Sequence, residues 1–99
     1  MATKKAPYVI VRASQAGVFA GNLVSRKGDE VVLSNSRRLW YWNGAASLSQ
    51  LAEEGVSDPR NCKFPTAISG KHTILGVCEV IPVTKKAQES IAGVPVWQK

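Results

Sequence analysis

Ninety-nine residues, 44% of them hydrophobic and 20% charged, fit one domain, and a chain of this size buries roughly two-thirds of its unfolded surface without disulfide or metal staples. No apolar run approaches the ~20 residues that span a bilayer, and Met1-Ala2-Thr3-Lys4-Lys5 lacks the apolar stretch of a secretory signal, so a cytoplasmic protein with no membrane partner is expected. The formal charge of +6 is spread over the doublets Lys4-Lys5, Arg26-Lys27, Arg37-Arg38 and Lys85-Lys86, which serve a soluble surface and also favour anionic partners such as nucleic acid, nucleotides or acidic proteins.

Residues 1–6 read as a loose tail closed by Pro7. Tyr8 to Arg12 is a short β-branched run with Tyr8, Ile10 and Arg12 on one face. Val18 to Val24 reads as a second strand, in which Gly21 marks a bulge or a close approach. Arg26-Lys27-Gly28-Asp29 has turn chemistry, and Glu30 to Leu33 follows as a third strand. Asn35 and Ser36 offer a further turn before Arg37 to Trp42, a fourth strand in which Leu39 and Tyr41 face opposite to Arg38, Trp40 and Trp42.

Asn43 is placed to cap a helix over Gly44 to Glu54, with Ala45, Leu48, Leu51 and Ala52 on one stripe. Gly55 and Val56 supply its stop signal. Ser57 to Pro65 is loop, and Ile74 to Val83 a strand carried through Gly76 to Pro82. Thr84 caps a second helix of about nine residues, ended by Gly93-Val94-Pro95 in the same stop pattern. Residues 94–99 form a C-terminal arm, and docking on a neighbouring subunit would give Trp97 a home. The fold class expected is α+β: a small, mostly antiparallel sheet of about five or six strands with two short helices, in a single domain 1–99.

The densest cluster of recognition side chains is Arg37-Arg38-Leu39-Trp40-Tyr41-Trp42-Asn43-Gly44-Ala45-Ala46-Ser47. Guanidiniums chelate phosphate in a fork geometry, tryptophans stack on flat rings, and small residues at a helix start let an anion approach backbone N–H groups. Tyr41 is the expected core member with Leu39, which leaves Trp40 and Trp42 exposed toward a ligand or another subunit. Lys85 and Lys86 stand in the first turn of the second helix, the unfavourable end for cations, where a bound anion would remove the conflict. The candidate ligand-binding residues are therefore Arg37, Arg38, Trp40, Trp42, Asn43, Gly44, Ala45, Lys85 and Lys86. Their spacing matches neither Gly-x-x-x-x-Gly-Lys nor Gly-x-Gly-x-x-Gly.

Catalytic patterns are missing. His72 is the lone histidine, standing between Lys71 and Thr73 in a polar turn where it is expected to be solvated, and no Gly-x-Ser-x-Gly occurs. Cys62 has no histidine near it in sequence, and two cysteines sixteen residues apart with one histidine make no zinc site. Cys62 and Cys78 are expected to be free thiols, at least one of them buried. A non-enzyme with no metal and no cofactor is expected.

The segment Arg37-Arg38-Leu39-Trp40-Tyr41-Trp42-Asn43-Gly44-Ala45-Ala46-Ser47-Leu48-Ser49-Gln50-Leu51-Ala52, followed by Asn61-Cys62-Lys63-Phe64, resembles a small family of phage and prophage proteins. Tyr8-Val9-Ile10-Val11-Arg12, Ala16-Gly17-Val18-Phe19-Ala20-Gly21 and Ile91-Ala92-Gly93-Val94-Pro95-Val96-Trp97 extend the likeness over most of the chain. The family brings no established activity or binding residues; the resemblance implies a phage origin. Phages encode many small proteins that act by binding alone, among them DNA-binding accessory factors and oligomeric sponges for nucleotide immune signals. The function expected is a homo-oligomeric, non-enzymatic phage protein that binds a phosphorylated nucleotide-type ligand and withholds it from a host effector. The alternatives are a DNA- or single-strand-binding accessory protein and an inhibitor that docks on a host protein through the Trp40/Trp42 face.

Overall fold

The computed structural model describes residues 7–97; the expected tail 1–6 and the last two residues of the expected arm lie outside them. Five strands run in chain order, β1 (Tyr8–Ala13), β2 (Gly17–Lys27), β3 (Glu30–Arg38), β4 (Ile68–Ile74) and β5 (Val77–Pro82). They form one sheet in the order β4-β3-β2-β1-β5, with every neighbouring pair antiparallel. Helices α1 (Leu48–Glu54) and α2 (Lys85–Ala92), with a 3-10 turn at Pro59–Asn61, complete an α+β fold.

The two edge strands fix the shape of the sheet. Only Leu75 and Gly76 separate the end of β4 from the start of β5, so three Cα steps, at most about 11 Å, must join them. Across a flat sheet the edges would lie about 19 Å apart, four spacings of ~4.8 Å. The sheet therefore curls until its edges approach. Gly76 takes φ +72° in the joining turn, its carbonyl accepts from Ser14 N at 3.1 Å, and Val77 N donates to Asp29 O at 2.9 Å. The β4–β5 turn is thus tied to both preceding hairpins.

The curl is accommodated in β2. Its register against β3 shifts between Ala20 and Asn22 and again between Leu23 and Ser25. At Gly21 the neighbouring backbone comes so close that a Cβ would stand 3.0 Å from Ser34 O and 3.1 Å from Ser36 Cα. Only glycine fits that crossing without displacing β3, as its isolated position in the strand suggested.

Alternation along β1 and β2 supplies two cores. Val9, Val11, Ala13, Phe19, Val31, Leu33 and Ile74 pack together on one face. Ile10 and Ala20 point the other way, against Leu39, Leu51, Phe64, Ile91 and Val94. Val9-Ile10-Val11 is consequently buried on both sides.

Several boundaries depart from the sequence expectation. β3 does not stop at Leu33: Asn35 adopts φ +53°, a conformation asparagine tolerates, and the irregularity is absorbed as a register shift between Ser34 and Ser36. Arg37 and Arg38 therefore end β3 instead of opening a new strand, and residues 39–42 keep only an isolated bridge from Tyr41 to Lys63. The expected 74–83 strand breaks at Leu75–Gly76, and β4, a polar edge strand, had no apolar alternation to announce it.

The first helix starts at Leu48. Gly44 (φ +93°) is pressed so tightly against Ser57 and Asp58 that the chain bends there, and Ser47 becomes the cap, its hydroxyl accepting from Gln50 N at 3.2 Å. Gln50 Oε1 in turn accepts from Ala46 N at 2.9 Å. The second helix begins at the expected cap, Thr84, but Gly93 ends it in a right-handed conformation (φ −82°), so the two stops differ. Among the described residues no helix is long and apolar enough to cross a membrane. Cys62 is buried, Cys78 is exposed, and both are free thiols.

Thr84 joins the two helices. Its hydroxyl accepts from Ala87 N at 3.1 Å to cap α2 and donates to Glu53 O at 2.7 Å in the last turn of α1, while Thr84 N donates to Ala52 O at 3.0 Å. One hydroxyl satisfies a donor of one helix and an acceptor of the other. Thr84→Ala is expected to lower the unfolding free energy by about 1–2 kcal/mol, with Thr84→Ser recovering most of it, as read by denaturant titration.

Candidate functional site

The adjacent arginines at the end of β3 have opposite environments. Arg37 is 6% exposed, and its guanidinium reaches through the helix-side core. Nε donates to Pro65 O at 3.0 Å, Nη1 to Ile91 O at 2.9 Å, and Nη2 to Phe64 O at 3.1 Å and Val94 O at 2.7 Å. Four of its five N–H groups are used, and the fifth, on Nη1, has no partner among the described residues. The cation also stands 5.5 Å from the centre of the Phe64 ring. Among the described residues no carboxylate meets it, and burial pushes its pKa below the ordinary value, opposed in part by Tyr8 and Cys62.

Arg38 is exposed. It donates from Nη1 to Ala16 O at 2.7 Å and covers the Phe19 ring at 4.5 Å. The expected pair of phosphate-chelating guanidiniums is therefore split by strand alternation, one facing the core and one facing water.

Beside Arg37 lies a cleft of about 440 Å³ between α2 and the strands, within the size range of small-molecule sites. Tyr8, Asn22, Asn35, Thr66 and Gln88 line it together with Arg37, and none of its lining residues is acidic. Asn35 Nδ2 donates to Asn22 Oδ1 at 3.3 Å, setting two amides side by side on neighbouring strands. Burial raises the Tyr8 phenol above its ordinary pKa, with Arg37 acting against the shift, so the phenol is a neutral donor at neutral pH.

Tyr8, Asn22 and Gln88 also border a second hollow that ends at Lys85. Lys85, Gln88 and Ala92 recur every three or four residues and so share one side of α2, which makes the two hollows a continuous groove. Its outer end carries Glu89 as well.

The remaining expected site residues are dispersed. Trp40 is 65% exposed, whereas Trp42 packs against the helix-side core. Tyr41, expected in the core, is 48% exposed, because the strand alternation ends at Arg38. Asn43 uses its backbone on Cys62, its N–H donating to Sγ at 3.3 Å and its carbonyl accepting from Sγ at 3.6 Å. Ala45 packs partly buried against the same core. Gly44 and Lys86 do meet, at a hollow of about 300 Å³ shared with Glu54.

Of the nine, Arg37 and Lys85 border the groove, and Arg38 and the 40–45 segment lie elsewhere. The amides at 22, 35 and 88 were missed; Asn22 and Asn35 could have been noticed as amides within strands, whereas Gln88 on α2 carried no such signal. The C-terminal segment docks on its own chain, since Val94 is buried, Val96 bridges Phe64 and Trp97 N donates to Phe64 O at 3.0 Å.

Two stability predictions follow from these contacts. Arg37→Met strips the donor from four carbonyls and is expected to cost on the order of 3–5 kcal/mol in denaturant unfolding, against about 0.5–1 kcal/mol for Arg38→Ala. His72, hydrogen-bonded at Nδ1 to the buried Ser36 Oγ at 2.9 Å, has its pKa lowered from 6.5 by burial and then by Arg38. The neutral ring is favoured in the native state, so the unfolded chain takes the proton first. Stability should fall as pH drops through 6.5 toward the lower native value, and His72→Gln should flatten that part of the profile.

The chain belongs to the DUF6948 family, described as a domain of unknown function, whose model matches residues 6–91. No curated protein and no solved structure matches it.

Proposed function

We propose that this member of the DUF6948 family is a non-catalytic binding protein for a phosphorylated, nucleotide-type ligand, held in the cleft beside Arg37. The observation that carries the reading is a buried guanidinium that has, among the described residues, no carboxylate partner, set in the wall of a cleft whose described lining residues include no acid. A buried cation of this kind favours an anion in the adjoining space. Asn35 and Gln88 offer donors and acceptors suited to the edge of a base, and the Tyr8 ring offers a flat apolar surface beside them. Lys85, at the outer end of the groove, is the second cation available to phosphate.

Arg37 contributes its charge and its one unpaired Nη1 hydrogen, and Lys85 its ammonium. The work required is recognition: a protein that binds a nucleotide without turning it over lowers the free concentration of that nucleotide. Such withholding fits the phage origin that the sequence resemblance implies.

Arg37 itself is a poor probe, because its removal also removes fold stability. Gln88→Glu instead places a carboxylate in the cleft from a half-buried helix position. Calorimetric titration with mono- and dinucleotides should show binding to the native chain, at least tenfold weaker binding to Gln88→Glu, and a melting temperature within a few degrees of native. Native protein without nucleotide affinity at millimolar ligand, or a variant that binds equally well, would overturn the proposal.

A further inference from the structure

We propose that the surface formed by Tyr41, Lys63 and Trp97, with Trp40 beside it, is a stacking platform for single-stranded nucleic acid. It rests on a different observation from the cleft, and the two surfaces share Val96. Two backbone connections build it. Tyr41 and Lys63 face each other in an antiparallel bridge, with Lys63 N donating to Tyr41 O at 2.7 Å and Tyr41 N to Lys63 O at 3.3 Å. Directly opposed residues project to the same side. Trp97 is brought alongside by its N–H bond to Phe64 O at 3.0 Å. The Lys63 ammonium then stands 5.9 Å from the centre of the Tyr41 ring and 5.5 Å from that of Trp97.

Two aromatic rings flanking one cation remain substantially open to solvent, Tyr41 at 48% and Trp97 at 37%, with Trp40 at 65% and Val96 at 49% nearby. So much exposed aromatic surface marks an interaction site. The cation at its centre selects the partner. Among the described residues the ion pair is Arg12–Glu79, and the Lys63 ammonium meets aromatic rings and no carboxylate. Lysine without a counter-charge is depleted from the buried centre of protein interfaces, whereas a strand of stacked bases supplies both π-faces for the rings and phosphates for the ammonium. The net charge of +6 adds long-range attraction for a polyanion.

The test is a titration of the full chain with a fluorescein-labelled dT20 oligonucleotide, following anisotropy and quenching of tryptophan emission, at several salt concentrations. Native protein should bind, with quenching and with an affinity that falls linearly in log–log form as salt rises. Trp97→Ala should weaken binding about tenfold or more, Lys63→Glu should weaken it and make it less salt-dependent, and Gln88→Glu should leave it unchanged. Circular dichroism confirms that each variant is folded. Absence of binding at low salt, equal affinity for a duplex of the same length, or a Trp97→Ala variant that binds as native would overturn the proposal. So would sizing data in which these residues govern self-association while oligonucleotide has no effect. Loss of nucleotide binding in the cleft would leave this outcome untouched.

Discussion

The guanidinium of Arg37 is the joint on which the helical half of the molecule hangs. From the end of β3 it reaches carbonyls in two separate stretches of chain, Phe64 and Pro65 on one side, Ile91 and Val94 on the other. The first stretch is loop, and the second runs from the last turn of α2 into the segment after it. Ile91 O lies in the last turn of α2, where carbonyls lack intrahelical partners and the dipole is negative, and Val94 O stands two residues past the helix end. A planar cation with N–H groups fixed in a fork can satisfy several such acceptors at once, which an ammonium on a flexible stem cannot do with the same directionality. Burying that charge is costly, and dipolar carbonyls together with the Phe64 ring offset the cost without neutralising the charge.

The placement of Arg37 follows from the sheet. Asn35 accepts a left-handed conformation in mid-strand, and the resulting irregularity sets which side of the sheet each later residue of β3 faces. Arg37 then points to the helices and Arg38 to the solvent-facing side over Phe19. At the same crossing Gly21 lets β2 and β3 approach closely. Asn22 and Asn35 therefore come to the rim of the cleft that Arg37 borders. The burial of the arginine and the polar lining of the cleft share one local cause.

Much of the fold was legible in the sequence, and the exceptions have physical reasons. β1, β2, the two-helix count and the Thr84 cap were marked by β-branched runs, apolar stripes and side-chain oxygen at a helix start. β4 was hidden because Ile68-Ser69-Gly70-Lys71-His72-Thr73-Ile74 is an exposed edge strand whose pairing is supplied by β3 rather than by its own pattern. The start of α1 was misplaced because Asn43 and Gly44 look like a cap and a permissive first turn, while Gly44 is held in a bend by Ser57 and Asp58, thirteen and fourteen residues away. The recognition cluster at 37–45 was legible as composition and not as geometry. A single strand end between Arg38 and Leu39 sends its members to the core, to the Phe19 ring and to two different surfaces.

That dispersal also explains why one short segment serves several roles. Leu39 closes the helix-side core, and the hydrogen bond from Leu39 N to Val18 O at 2.9 Å keeps the chain on the sheet for one residue past β3. Beyond it the backbone turns to pair with Lys63, so Tyr41 faces outward and Trp42 packs back toward α1. Phe64, the neighbour of Lys63, is fully buried under the Arg37 clamp, and Phe64 O receives both the guanidinium and Trp97 N. One carbonyl thus ties the buried cation to the exposed aromatic surface. The 64–65 stretch that Arg37 binds adjoins Lys63 and receives Trp97, so the core contact and the outer surface meet at Phe64.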